Sequence, residues 1–373
     1  MKKSLLLLFL IFSFCVINAQ VSKTINVITA GTLFTLLTAQ EKLTITNLTV
    51  TGNINNADLN CMRDELAKLA FLDISALKIS QMPYASFSYI MKGNYTLKQI
   101  ILPDIITYIG DYAFAGCYSL ENIIIPNGVT WIGENAFSLC ASLTNVNIPN
   151  SVNHIGEGAF GDCKKLENVT IGNSVSSLAG GLFYNCQALI NITIPNSVIS
   201  IGESTFRSCW SLSCLTIPKS VKTIGSSAFI YCDKLSSIIA CSAIPIDLSL
   251  TYDVFKGIDK TNCRLYVPTG STIAYKNSAQ WNTFVNIIET ATSLQTKSFT
   301  PINICPNPII ENFKIIGLVG TAIVSFIDLN GKVLFNKQIS ENENVSVSNL
   351  PIGAYNVSIT TKDETTLHKI LKK

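Results

Sequence analysis

Two histidines, a ladder of six cysteines and a few carboxylates are the residues of this chain that could do chemistry. Nucleophilic catalysis by serine or cysteine needs a base within hydrogen-bond reach, and histidine is the usual one. His368 lies near the C-terminus, so such a pair would have to use His154. His154 instead occupies a variable slot whose counterparts at the same spacing are Tyr108, Trp131, Ser177, Ser200 and Thr223. Cys117, Cys140, Cys163, Cys186, Cys209 and Cys232 recur every 23 residues. Structural zinc sites favour close Cys-x-x-Cys pairs or Cys/His clusters, and the ladder has neither. Stacked one rung apart, the Cα atoms would fall in the disulfide window and export would permit oxidation, but parallel inward side chains rarely give the required dihedral. The ladder therefore reads as small apolar filler. Glu121 and Glu167 are two repeats apart, about 10 Å on a sheet with rungs ~4.8 Å apart, and form no acid–base pair. No catalytic, cofactor-binding or metal-binding set emerges, and a non-enzymatic protein is expected.

Two columns at the same spacing could recognise a ligand. Asn122, Asn145, Asn168 and Asn191 continue a series that starts at Gln99 and runs on to Cys214 and Ser237. Amides in register can hydrogen-bond from rung to rung, and a glycan-reading surface is the alternative. Tyr108, Trp131 and His154 form a second column, expected to stack on the surface. Exposed aromatic residues in a row can pack on sugar rings or anchor a protein partner.

The element that positions all of these is a 23-residue repeat, Ile-Gly-x-x-Ala-Phe-x-x-Cys-x-x-Leu. Ile-Gly stands at 109–110, 132–133, 155–156, 201–202 and 224–225, with Leu178-Ala179 in the remaining slot. Phe114, Phe137, Phe160, Phe183, Phe206 and Phe229 follow in register. A fixed period of this length marks a solenoid, in which each repeat buries its apolar face against its neighbours. In each repeat Leu-x-x-Ile-x-Ile-Pro reads as a short strand: Leu120, Ile123 and Ile125 face inward, and Glu121, Asn122 and Ile124 face outward. Pro126, Pro149, Pro195 and Pro218 end it, because proline cannot donate to the ladder. Val129 and its counterparts turn back inward, and Ala-Phe-x-x-Cys crosses the far side as a helical turn or irregular coil. About seven rungs would give a parallel sheet roughly 30 Å long.

Residues 20–70 depart from the repeat and are expected to form an N-terminal cap. Leu43–Thr46 and Leu48–Val50 read as strand, and 58–69 as a helix with Asp58 as its cap. The repeats run over 71–241, a C-terminal cap over 242–290 and a linker over 291–303. Residues 304–373 alternate as strands, with a turn at Asn330-Gly331. Residues 1–19 read as a signal peptide, with Lys2 and Lys3 before an apolar stretch and a small-residue site ahead of Gln20. Phe14 before Cys15 does not suit a lipoprotein signal. Charged residues make up 14% of 373, with a formal net charge of +3 that includes Lys2 and Lys3. With no basic stripe, no nucleic-acid partner is expected. No later stretch of ~18 apolar residues could span a membrane.

The repeat resembles the BspA-type leucine-rich repeat of Bacteroidetes surface proteins. Val254-Phe255-Lys256-Gly257, Leu265–Pro268, Tyr275 and Trp281 resemble the segment that often follows such repeats. Residues 304–373 resemble a type A sorting domain of the type IX secretion system. Pro306-Asn307-Pro308, 328–332, 350–355 and the basic end 369–373 carry that likeness, although Cys305 stands where the family usually has tyrosine. The resemblance implies a leucine-rich repeat solenoid followed by a small all-β sandwich. It also implies the type IX machinery as a partner through 304–373, cleavage of that tail during export, and a secreted or outer-surface product. The expected function is recognition or adhesion toward an extracellular protein or glycan. A passive surface component is the alternative, and a polysaccharide hydrolase lacks the residues it would need.

Overall fold

The computed structural model describes residues 20–88, 96–290, 303–305 and 312–372, apart from 317, 319, 329–331, 341–342, 352 and 363–364. Within the repeats the chain coils so that each turn contributes one strand to a parallel twelve-stranded sheet. The register is one residue per rung: Gln99, Asn122, Asn145, Asn168, Asn191, Cys214, Ser237 and Arg264 pair in sequence. Inward and outward positions fall as the alternation requires, with Leu120, Ile123 and Ile125 buried and Ile124 80% exposed.

The sheet is longer than seven rungs, because the flanking segments join it. Ser22–Val27 and Asn47–Gly52 add parallel strands before Phe71–Asp73, and Arg264–Pro268 and Asn286–Thr290 add two more beyond the last repeat. Twelve strands at ~4.8 Å make a sheet on the order of 50 Å long. The segment at Leu43–Thr46 is also corrected. Ala39–Thr44 is a short helix, closed by a capping box in which Thr38 and Glu41 bond each other's backbone N–H. That local cap outweighs the β-leaning alternation of Leu43 to Thr46. Asp58 does not start its helix, which runs Asn56–Asp64 with Asn55 as the cap. The Asp58 carboxylate is fully buried and accepts N–H groups from Gly31, Leu33 and Asn55 at 2.6, 2.8 and 2.9 Å, tying the helix to the preceding loop.

From the rung of Phe71–Asp73 to that of Cys214, the corner that ends each strand of the large sheet is followed by a two-residue strand, leading in the regular repeats into the Ile-Gly step. These short strands make two further parallel ladders. Gln81–Met82, Tyr108–Ile109, Trp131–Ile132 and His154–Ile155 form one, and Ser177–Leu178, Ser200–Ile201 and Thr223–Ile224 the other. The glycines are required by close approach between rungs. A Cβ at Gly156 would lie 2.4 Å from Glu134 N, and one at Gly225 would lie 2.5 Å from Glu203 N. Ala179 carries that Cβ, and it is here that the ladder divides between His154–Ile155 and Ser177–Leu178.

The far side is irregular coil rather than a helical turn. Two residues per repeat take positive φ and bracket Ala-Phe, as at Asn135 (50°) and Leu139 (61°) or Gly158 (61°) and Asp162 (58°). Between them the phenylalanines stack in one file from Phe87 to Phe255, with centroids 5.2–6.0 Å apart and planes within 18° of parallel. Trp281 meets the last ring at 4.9 Å and a tilt of 57°, and its indole N–H donates to Ile246 O.

The cysteine ladder is buried and its thiols are free. It does more than fill space. Each thiol donates to the carbonyl of the phenylalanine in the preceding coil, from Cys117 to Phe87 through Cys232 to Phe206, at 3.2–3.3 Å. Burial pushes these thiols well above their ordinary range, Cys117 and Cys209 to about 12. Since the thiolate is the reactive form, the ladder is inert while folded. A thiol reagent such as DTNB should therefore leave the six cysteines unmodified in the native protein and titrate all six after guanidinium unfolding. Rapid native labelling of any of them would contradict the buried S–H···O arrangement.

The C-terminal residues fold as two antiparallel sheets around their own core, which includes Phe313, Phe326, Val345 and Tyr355. One sheet holds Asn303–Cys305, Asn312–Ile316 and Asn344–Ser346, and the other Thr321–Ile327, Val333–Ser340, Gly353–Thr360 and Thr365–Lys372. The basic end is thus a paired strand, with Thr365–Lys372 antiparallel to Gly353–Thr360. The expected signal peptide, the linker from 291, the Pro306-Asn307-Pro308 motif and the Asn330-Gly331 turn lie outside the described residues.

Candidate binding surface

The structure separates the two candidate columns. The asparagines lie on the twelve-stranded sheet, and the aromatic residues lie on the short ladder beyond the proline corner.

On the large sheet, Asn168 Nδ2 donates to Asn145 Oδ1 and Asn145 Nδ2 donates to Thr144 Oγ1, both at 2.9 Å. The first of these bonds joins two rungs, and the second joins chain neighbours. Asn122 is exposed, and Asn191 pairs by its backbone with Asn168 and Cys214. Beside this column Lys98 and Glu121 form an ion pair at 3.1 Å.

On the short ladder Tyr108, Trp131 and His154 pair directly, rung to rung. Trp131 lies between the other two rings, 6.2 Å and 19° from Tyr108 and 3.5 Å and 17° from His154. Trp131 is 38% exposed, while Tyr108 and His154 are half-buried. Each inward neighbour, Ile109, Ile132 or Ile155, sits in the core, so the rings project from a rigid support. The row stops at His154, where the ladder divides and Ser177 takes the next slot. Burial beside Trp131 lowers the His154 pKa, and the nearby charges of Asp111 and Glu134 oppose that shift. The imidazole is therefore held toward its neutral form, suited to stacking rather than to a standing positive charge.

A third column was overlooked in the sequence, although the residue after Ile-Gly reveals it. Asp111, Glu134, Glu157 and Glu203 follow the glycine on their rungs, and Gly180 and Ser226 take the other slots. Tyr84 begins this line, 60% exposed and edge-on to Tyr112 at 5.8 Å. Glu134, Glu157 and Glu203 are exposed, and Asp111 accepts the Glu134 backbone N–H at 2.8 Å. Among the described residues no group of three or more His, Cys, Asp or Glu side chains is arranged to hold a metal ion. Nor is any described helix long and apolar enough to cross a membrane.

Residues 85–187 and 133–262 match the family described as BspA type leucine rich repeat region, in six copies. The chain belongs to the BspA-type leucine-rich repeat proteins. Residues 303–373 match the secretion system C-terminal sorting domain, so this BspA-type protein carries an export address for the type IX route. Among solved structures it is similar to a leucine-rich repeat protein of T. pallidum, at 30% identity over 42% of this chain and 72% of that one, with a TM-score of 0.38. It is also similar to one from Bacteroides ovatus ATCC 8483, at 23% identity over 66% and 65%, with a TM-score of 0.43. A leucine rich cell surface protein from Faecalibacterium prausnitzii A2-165 matches at 20% identity over 66% and 83%, with a TM-score of 0.29. No curated protein matches the chain.

Proposed function

We propose that this protein is an exported, non-enzymatic binding protein that recognises an extracellular protein or glycan through the Tyr108–Trp131–His154 row. The observation that carries the reading is an exposed indole held between two further rings on a rigid ladder. Binding energy concentrates in rigid aromatic anchors, because little side-chain freedom is lost when the partner arrives. The sorting domain supports an exported product, whose ligand would be met outside the cell.

Titrating the full-length mature chain against extracellular proteins and oligosaccharides on arrays tests this. A saturable ligand is expected, with Trp131→Ala weakening it tenfold or more, a loss of about 1.4 kcal/mol or greater. Undiminished binding by Trp131→Ala would remove the row from consideration. The absence of any saturable ligand would favour a passive surface component, and turnover of a polysaccharide would favour a hydrolase.

A further inference from the structure

The aromatic row and the carboxylate line beside it lie on the same rungs, and together they narrow the class of partner. Take the five residues that begin each rung of the short ladders, at Gln81, Tyr108, Trp131, His154, Ser177, Ser200 and Thr223. They contain Asp111, Glu134, Glu157 and Glu203, and no lysine or arginine. None of the four carboxylates is ion-paired among the described residues, whereas Glu121 on the large sheet has Lys98. Asp111, Glu134 and Glu157 follow one another rung by rung, so their backbones are ~4.8 Å apart. Like charges at that spacing repel, and no ion pair among the described residues relieves them here.

Ring orientation supplies the second argument. The two faces of Trp131 are turned toward Tyr108 and His154, so the indole presents its edge to solvent instead of an open face. A sugar that stacks flat on an aromatic ring needs a free face, which this indole does not offer. Ring edges on a rigid apolar support do suit the aliphatic stems of lysine and arginine, which lie along apolar surface while their heads reach for charge. Three carboxylate-bearing residues, their backbones spanning about 10 Å, stand beside that apolar strip.

Resting on the reading of the aromatic row as the binding site, we propose that its partner is a lysine- or arginine-bearing protein segment. The stems of that segment pack against Tyr108, Trp131 and His154, and its cationic heads pair with Asp111, Glu134 and Glu157. Charge complementarity of this kind sets orientation and association rate and weakens with salt.

The test uses the full-length mature chain and three labelled probes: a (Lys-Thr)6 peptide, a (Glu-Thr)6 peptide and neutral maltohexaose. Saturable binding of the lysine peptide is expected, weakened at least tenfold by Trp131→Ala and by the isosteric pair Glu134→Gln/Glu157→Gln, and weakened by added salt. Glu65→Gln, an exposed carboxylate in the N-terminal segment, controls for simple charge count and should change affinity less than twofold. The proposal is overturned if the paired Gln variant binds the lysine peptide within twofold of the native protein. Maltohexaose binding that depends on Trp131 and not on the carboxylates would also overturn it, while leaving the aromatic row as the site. If no probe's binding depends on Trp131, both readings fall.

Discussion

Phe160→Ala should lower the unfolding free energy by about 3–5 kcal/mol, the usual cost of deleting a fully buried phenylalanine. Its ring is in the middle of the file, 5.2 Å from Phe137 and 5.9 Å from Phe183, with no solvent exposure. Removing it breaks two stacking contacts and leaves a space walled by rungs whose spacing is fixed by backbone hydrogen bonds. The Phe160 N–H donates to Leu182 O at 3.0 Å, and its carbonyl accepts the Cys186 thiol, so the coil around the cavity is pinned and collapses little. In a solenoid each repeat is stabilised by its neighbours, and one weak interface divides the cooperative unit. Urea unfolding should therefore show a lower midpoint and a broader or two-step transition. Phe160→Leu, which keeps most of the volume, should recover at least half of the loss. A cost under about 1 kcal/mol for the alanine variant would show that the file is not the spine of the solenoid, since it would fall below the range for buried aromatic residues.

Much of this was legible because the repeat makes the same statement several times. The positions of Phe160 and Cys163 inside the coil follow from period alone, since a residue type kept at one position of every repeat must meet itself on the next rung. The stacking of Tyr108, Trp131 and His154 follows for the same reason. Whatever depended on a single local competition was hidden. Leu43–Thr46 alternates like a strand, yet Thr38 and Glu41 close a capping box whose helix takes in Leu43 and Thr44. The thiol-to-carbonyl bonds were out of reach, because a small buried residue reads as filler until the carbonyl opposite it is known. The two-residue strands at Ile-Gly are too short for any alternation to reveal. Without them Tyr108, Trp131 and His154 could be placed in a column but not on a ladder of their own, away from Asn145 and Asn168. The carboxylates at 111, 134 and 157 were visible in register, and gain meaning only beside the rings on that ladder.

Gly156→Ala should cost about 1–3 kcal/mol and open the aromatic row, in the manner of an over-packed core. The reason is contact and not backbone conformation. An ideal Cβ at Gly156 falls 2.4 Å from Glu134 N, 2.6 Å from Gly133 C and 2.7 Å from Glu134 Cα. All three are backbone atoms of the preceding rung, so no side chain can turn aside to make room. The rungs must separate, and the bond from the Gly156 N–H to Ile132 O at 2.8 Å is the one placed to lengthen. The chain already contains the outcome one coil further on. Ala179 holds the equivalent position, and the ladder divides there between Ile155 and Leu178. Moving that break to Gly156 would separate His154 from Trp131, now 3.5 Å apart. The Trp131 indole resonance in a two-dimensional NMR spectrum should shift, and ligand affinity at the row should fall along with stability. The reciprocal change, Ala179→Gly, should let the two ladders join while changing stability little. Rejoining adds a backbone bond, and glycine's extra freedom in the unfolded chain removes about 0.4–1 kcal/mol. A Gly156→Ala protein with native stability and an unmoved Trp131 resonance would mean the glycines are not what lets these rungs close.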